Sequence, residues 1–238
     1  ILFILVLSKT RSLEATICPA NDDMIRDLKG FDLNYTYPCM YSGFVEVEHE
    51  TDSNLFYWFF RHENGDRQAP LVFWINGGPG SSSMLGNFLE NGPLRLIQDE
   101  QTGNITVHSV KGQAWSAIAN LVFVDQPIGV GFSYGHRNIT EGKQIGEYIV
   151  QFFKGFYQKF PDMKQNALYI SGESYGGKYL PGIASAIIDY NKNASETERI
   201  LLKGVLIGNG FVDPITQRLS IRQLSLGIGY AQFDSLPE

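Results

Sequence analysis

Short, almost wholly apolar runs alternate along the chain with longer stretches in which apolar residues recur every three or four positions. The runs at Leu71 to Ile75, Leu121 to Asp125, Ala167 to Ile170 and Val205 to Ile207 have the pattern of strands buried on both faces. Phe44 to Val47 and Leu55 to Phe60 read as two more strands joined by a polar turn, the second strongly aromatic. Helices are predicted over Ser83 to Glu90, Glu141 to Lys159 and Lys178 to Tyr190. In the second, Ile145, Ile149, Phe152, Phe153 and Phe156 fall on one face, while the lysines between Lys143 and Lys164 fall on a solvated one. Strands alternating with helices predict an α/β fold: a mainly parallel central sheet with flanking helices and functional loops at the strand C-terminal ends. Asn76, Asp125 and Ser174 stand at such ends, and Asn191 to Arg199 reads as a surface loop.

Composition narrows the picture. With 238 residues, 43% of them hydrophobic, the chain can bury a sizeable core, and a net charge of −6 without a basic stripe argues against nucleic acid as a partner. The apolar start Ile1 to Leu7, followed by polar residues and small residues near Ser12 and Ala15, reads as part of a signal peptide over residues 1–15, with a buried edge strand as the alternative. No apolar run is long enough to span a bilayer, so no membrane span is expected. Four N-x-[ST] sequons, at Asn34, Asn104, Asn138 and Asn193, stand in polar contexts and are glycosylation candidates on a secretory route. Cys18 and Cys39 are the only cysteines; they either close one disulfide or remain two buried thiols.

Candidate chemistry centres on Gly172-Glu-Ser-Tyr-Gly176, a G-x-S-x-G sequence between an apolar strand and a helix-like run. This is the form of a nucleophile elbow, a sharp turn that exposes a serine hydroxyl to a base and to oxyanion-stabilising N–H groups. Gly172, Gly176 and Gly177 supply the small neighbours such a turn needs. Upstream, Asn76-Gly-Gly-Pro-Gly-Ser-Ser-Ser83 opens from a strand into a glycine-rich loop. It lacks the G-K-[ST] of a phosphate-binding loop and the G-x-G-x-x-G spacing of a dinucleotide site, so no nucleotide cofactor is expected, and no metal. In hydrolases with such an elbow, one oxyanion N–H follows the nucleophile and another comes from a loop of this kind. Tyr175 and Gly78 are the candidates.

Five ordered segments carry a family resemblance: Asn76-Gly-Gly-Pro-Gly-Ser-Ser, Glu90-Asn-Gly-Pro93, Val124-Asp-Gln-Pro-Ile-Gly-Val-Gly-Phe-Ser-Tyr134, Gly172-Glu-Ser-Tyr-Gly-Gly177 and Ile207-Gly-Asn-Gly-Phe-Val-Asp-Pro214. Together they resemble the serine carboxypeptidases of the α/β-hydrolase fold, from about Tyr41 and more weakly from Asp22 onward. The resemblance implies removal of C-terminal residues from peptides and proteins at acid pH through an acyl-enzyme, in lysosomes, vacuoles or secretory compartments, without a cofactor. It implies Ser174 as nucleophile, Gly78 and Tyr175 at the oxyanion, and Asn76, Gly77, Glu90 and Glu173 around the substrate's terminal carboxylate. Two acids beside a carboxylate ligand repel it unless the cluster carries protons, so activity on free-acid substrates is expected to fade as pH rises. Many relatives carry a cysteine in the loop after G-G-P-G where this chain has Ser81, so a cross-link from that loop is not expected.

The triad of this fold follows the order serine, acid, histidine. All four histidines, His49, His62, His108 and His136, precede Ser174, and each reads as a solvated, surface or loop residue. Asp213 reads as a turn or helix cap rather than a triad acid. The resemblance therefore implies that residues 16–238 are the N-terminal portion of an α/β-hydrolase domain, truncated where Leu219 to Glu238 enter the family's helical insertion. Two other readings remain open: an acyltransferase with the same elbow, and a non-catalytic binding or scaffold homologue.

Overall fold

The computed structural model describes residues 18–26, 28, 39–136 and 139–230. The signal-like segment over residues 1–15 and the sequons at Asn34 and Asn138 lie outside the described residues. Nine strands and three long helices follow one another among those described: β1 (Met24–Ile25), β2 (Met40–Glu48), β3 (Ser53–Phe60), β4 (Leu71–Ile75), β5 (Leu94–Gln98), β6 (Ile105–Ser109), β7 (Asn120–Val124), α1 (Gly142–Lys159), β8 (Leu168–Glu173), α2 (Gly176–Asn193), β9 (Leu202–Gly208) and α3 (Pro214–Gly227). Seven strands form the central sheet in the order β1-β2-β3-β7-β4-β8-β9. β7, β4, β8 and β9 pair in parallel, and β1 to β3 extend the sheet antiparallel at one side. This is the expected α/β architecture, and every residue of β3, β4 and β7 is buried, as strands covered on both faces must be.

One face is covered by α1 and α2. Ile145, Ile149, Phe152, Phe153 and Phe156 of α1 are all buried against Tyr57, Phe59 and Phe73 of the sheet. Burying each such side chain contributes about 1.5–3 kcal/mol, which fixes α1 on the sheet far more firmly than helix propensity could. A capping box between Glu141 and Gln144 starts the helix. Gly146 lets α2 approach, because a Cβ there would sit 2.8 Å from that of Ala186. On the opposite face Trp58, Phe60, Trp74 and Phe123 pack with Met84 and Leu94. Arg61, buried beneath the rings of Tyr41, Phe59 and Phe160, forms a two-pronged ion pair with Asp162 at 2.6 and 3.1 Å. Cys18 and Cys39 are joined in a disulfide, which resolves the alternative left open by sequence.

Several expectations need correction. The helix expected over Ser83 to Glu90 is present over residues 84–90, but its last five residues, Gly86–Glu90, take the wider π-helical form. The β5–β6 hairpin was not anticipated; its strands leave Leu96, Ile97 and Ile105 exposed, so they lack the buried alternation that marks a strand. His108, read as a surface or loop residue, lies on strand β6 and is partly buried. Asn191 belongs to the end of α2, and its side chain brackets Ile200, accepting from its N–H at 2.9 Å and donating to its carbonyl at 2.8 Å. The first part of the segment expected to enter the helical insertion, from Leu219, lies in α3, and residues 231–238 lie outside the described residues.

Candidate active site

Sheet register brings the site together. Ile75 of β4 pairs with Gly172 of β8, and Glu173 pairs with Gly208 of β9, so the loops after these three strands emerge side by side. Ser174 occupies the turn from β8 to α2 with φ of +54°, a left-handed conformation that costs a residue with a Cβ roughly 1–2 kcal/mol. Backbone bonds hold it there. Its N–H donates to Gly208 O at 3.0 Å, and its carbonyl accepts from Gly177 N at 3.0 Å and Phe211 N at 2.7 Å. The neighbouring glycines are obligatory by contact: a Cβ on Gly177 would sit 2.8 Å from Phe211 N, and one on Gly172 would collide with Ile75 O.

The glycine-rich loop leans directly on this turn. A Cβ on Gly77 would lie 2.8 Å from Glu173 O and 2.9 Å from the Ser174 Cβ, so only glycine permits the approach. Gly78 and Gly80 follow with φ of +108° and +85°. Gly77 itself is buried, while Gly78 faces solvent, as a loop that presents an N–H to a ligand must. Its far end is anchored by Asp125, fully buried at the end of β7. Asp125 Oδ1 accepts from Ser82 Oγ at 2.7 Å and Ser83 N at 2.8 Å, and Oδ2 accepts from Phe132 N at 3.0 Å. Burial pushes the Asp125 carboxyl above the usual range, against the opposing pull of the bonds from Phe132, Ser82 and Ser83. Gly131, at φ of +56°, has no room for a side chain beside Asp125 Oδ2.

Asn76 is the hub of the polar cluster. Its Nδ2 donates to Glu90 Oε1 at 2.8 Å and to Glu173 Oε1 at 3.3 Å, and Gly77 N donates to the same Glu173 oxygen at 3.4 Å. Trp74 Nε1 and Gly86 N donate to Asn76 Oδ1 at 2.9 and 3.0 Å, which fixes which end of the amide is oxygen. Asn76 N donates to Ser83 Oγ at 3.2 Å, and that hydroxyl donates to Val124 O at 2.5 Å. All four residues expected around a substrate carboxylate, Asn76, Gly77, Glu90 and Glu173, therefore meet beside Ser174. Trp74 and Gly86 were missed. Trp74 stands two residues before Asn76 on a strand, hence on the same face, and that period was the available signal.

The histidines are engaged elsewhere. His49 Nδ1 lies 2.6 Å from Glu46 Oε1 at an exposed turn, and His62 Nδ1 accepts from the backbone N–H of Asn64 at 3.2 Å. His108 Nε2 lies 2.9 Å from Thr106 Oγ1, and His136 is exposed. Asp213 caps α3, accepting from Ile215 N at 3.2 Å and Thr216 N at 3.3 Å. Hydrogen bonding to Thr216 holds its carboxyl below the usual value. The sequon residues Asn104 and Asn193 are both exposed, the first in the β5–β6 connection and the second at the end of α2. No helix among the described residues is long and apolar enough to cross a membrane.

Known proteins resemble this chain over most of its length. The chain is 38% identical over 233 residues to the pheromone-processing carboxypeptidase KEX1 of Ogataea parapolymorpha, covering 94% of this chain and 36% of that protein. It is 43% identical over 183 residues to the protein of the same name from Tuber melanosporum, covering 76% of this chain and 28% of the relative. The crystal structure of Kex1(delta)p, a prohormone-processing carboxypeptidase from Saccharomyces cerevisiae, superposes with a TM-score of 0.74 at 31% identity, over 83% of this chain and 44% of that one. The chain thus spans less than half the length of these relatives. The serine carboxypeptidase family model matches residues 34–236, and the chain belongs to the serine carboxypeptidase family.

Proposed function

We propose that these residues form the nucleophile and carboxylate-recognition half of a serine-type carboxypeptidase, which removes C-terminal residues from peptides and proteins at acid pH. The observation that carries this reading is the convergence of Asn76, Glu90 and Glu173 on one nitrogen immediately beside Ser174. A substrate's free terminal carboxylate needs donors close to the attacked carbonyl, and Asn76 Nδ2 and Gly77 N–H supply them by exchanging their bonds to the Glu90 and Glu173 oxygens for bonds to the substrate.

Ser174 Oγ attacks the scissile carbonyl, and the N–H groups of Gly78 and Tyr175 receive the oxyanion. Collapse releases the terminal amino acid and leaves an acyl-enzyme that water hydrolyses. In this fold the acid and the histidine follow the nucleophile. We place both in the length of the relatives that this chain does not span. The Cys18–Cys39 disulfide and the exposed sequons at Asn104 and Asn193 support an oxidising secretory route, with lysosome, vacuole or extracellular space as the destination.

The test uses the full-length protein with a blocked dipeptide acid and its C-terminal amide. Release of the terminal residue at acid pH from the acid but poorly from the amide, abolished in Ser174→Ala, is the expected result. Equal rates on acid and amide would overturn the carboxylate-recognition reading. Transfer of the acyl group to an added alcohol without hydrolysis would favour an acyltransferase.

A further inference from the structure

The left-handed backbone of Ser174 persists only because its surroundings enforce it, and two of its bonds come from the end of β9 and the turn after it: Gly208 O and Phe211 N. Asn209 is itself left-handed, at φ of +44°. One side chain ties the turn together. Gln217 Oε1 accepts from Val212 N at 3.0 Å and Asp213 N at 3.1 Å, and its Nε2 donates to Gly210 O at 2.8 Å. Three backbone groups flanking Phe211 are thereby bound to one amide. From α2, Lys178 Nζ adds a bond to Val212 O at 2.9 Å, and the Phe211 ring stacks on Tyr175 with centroids 6.1 Å apart.

We infer that Gln217 is a positioning residue for the nucleophile: it holds the 210–213 turn so that Phe211 N–H stays on the Ser174 carbonyl. The placement of the Tyr175 N–H follows from that peptide. A role confined to capping α3 does not account for the contacts. Asp213 already satisfies Ile215 N and Thr216 N, and the bonds from Gln217 to Val212 and Gly210 lie outside the helix.

The inference rests on Ser174 as the nucleophile, so the experiment reads both. In the full-length protein, a fluorophosphonate titrates the reactive serine, and turnover of a blocked dipeptide acid is expressed per titrated site. A structural defect that merely lowers the folded fraction reduces the titre and leaves turnover per site unchanged. Gln217→Ala is expected to lower kcat per site by about 10- to 100-fold with KM nearly unchanged. Gln217→Glu keeps the acceptor for Val212 and Asp213, loses the bond to Gly210, and should retain about a third of wild-type kcat. Wild-type kcat per titrated site in Gln217→Ala overturns the inference; if that variant does not fold, the same result in Gln217→Glu does so. Failure of the wild type to titrate, or equal titration of Ser174→Ala, overturns the nucleophile assignment and this inference with it.

Discussion

A Cβ placed on Gly77 would lie 2.5 Å from the backbone nitrogen of Tyr175, so the loop after β4 and the turn after β8 touch through bare backbone. The two segments that carry the proposed oxyanion donors are therefore positioned by each other. Gly77→Ala must push them apart. Overpacking of this kind costs about 1–3 kcal/mol of stability, and an ångström of misplacement at the donors costs about 100-fold in kcat/KM. Assays of the full-length protein on a blocked dipeptide, with melting temperature as control, check this; near-normal kcat/KM would show that the contact does not matter to the chemistry.

Glu173→Gln preserves the shape of the Asn76 cluster and removes one negative charge. A substrate carboxylate then meets one negative charge fewer beside Asn76 and Gly77, so KM for a peptide acid should fall by about 3- to 10-fold while KM for the C-terminal amide changes little. KM measured on both substrates decides, and an unchanged KM for the acid would remove Glu173 from carboxylate recognition.

Burial holds the Asp125 carboxyl above its usual 3.8 in the folded state. Between that value and the raised one, the folded chain keeps a proton that the unfolded chain has released, so the contribution of Asp125 to stability falls as pH rises through this window. The gap in unfolding free energy between the wild type and Asp125→Asn should be widest at the acid end and narrow as pH rises. Denaturant titrations at several pH values test the sign, and a gap that widens with pH would refute it.

The Cys18–Cys39 disulfide closes a loop across a sequence separation of 21 and ties the first described residues to the start of β2. Its removal by Cys39→Ser should cost about 3 kcal/mol through the entropy regained by the unfolded chain. A melting temperature unchanged in the variant would mean that this N-terminal segment unfolds independently of the sheet.

The strands of the sheet interior were legible because burial on both faces leaves little room for polar residues: Leu71 to Ile75 reads as a strand without any partner in view. The β5–β6 hairpin was not, since Leu96, Ile97 and Ile105 remain exposed and make no alternation. The helix ending at Glu90 was legible from its apolar residues, but its widening over Gly86–Glu90 and the contact of Gly86 with Trp74 and Asn76 were not. The segments Asn76 to Ser83 and Gly172 to Gly177 stood out because strained turns and close backbone contacts demand glycine, and glycine is visible in a sequence.

Sequence by itself determined the α/β layout, the elbow at Ser174 and the family, since each rests on local pattern: apolar runs, helical periodicity and small residues at fixed offsets. It could not determine that Trp74, Gly86, Ser83, Asp125 and Gln217 hold the site in shape. Those contacts join residues from different strands and loops. They exist only because parallel pairing sets Ile75 beside Gly172 and Glu173 beside Gly208, a register fixed by the packing of whole faces rather than by any short run of residues.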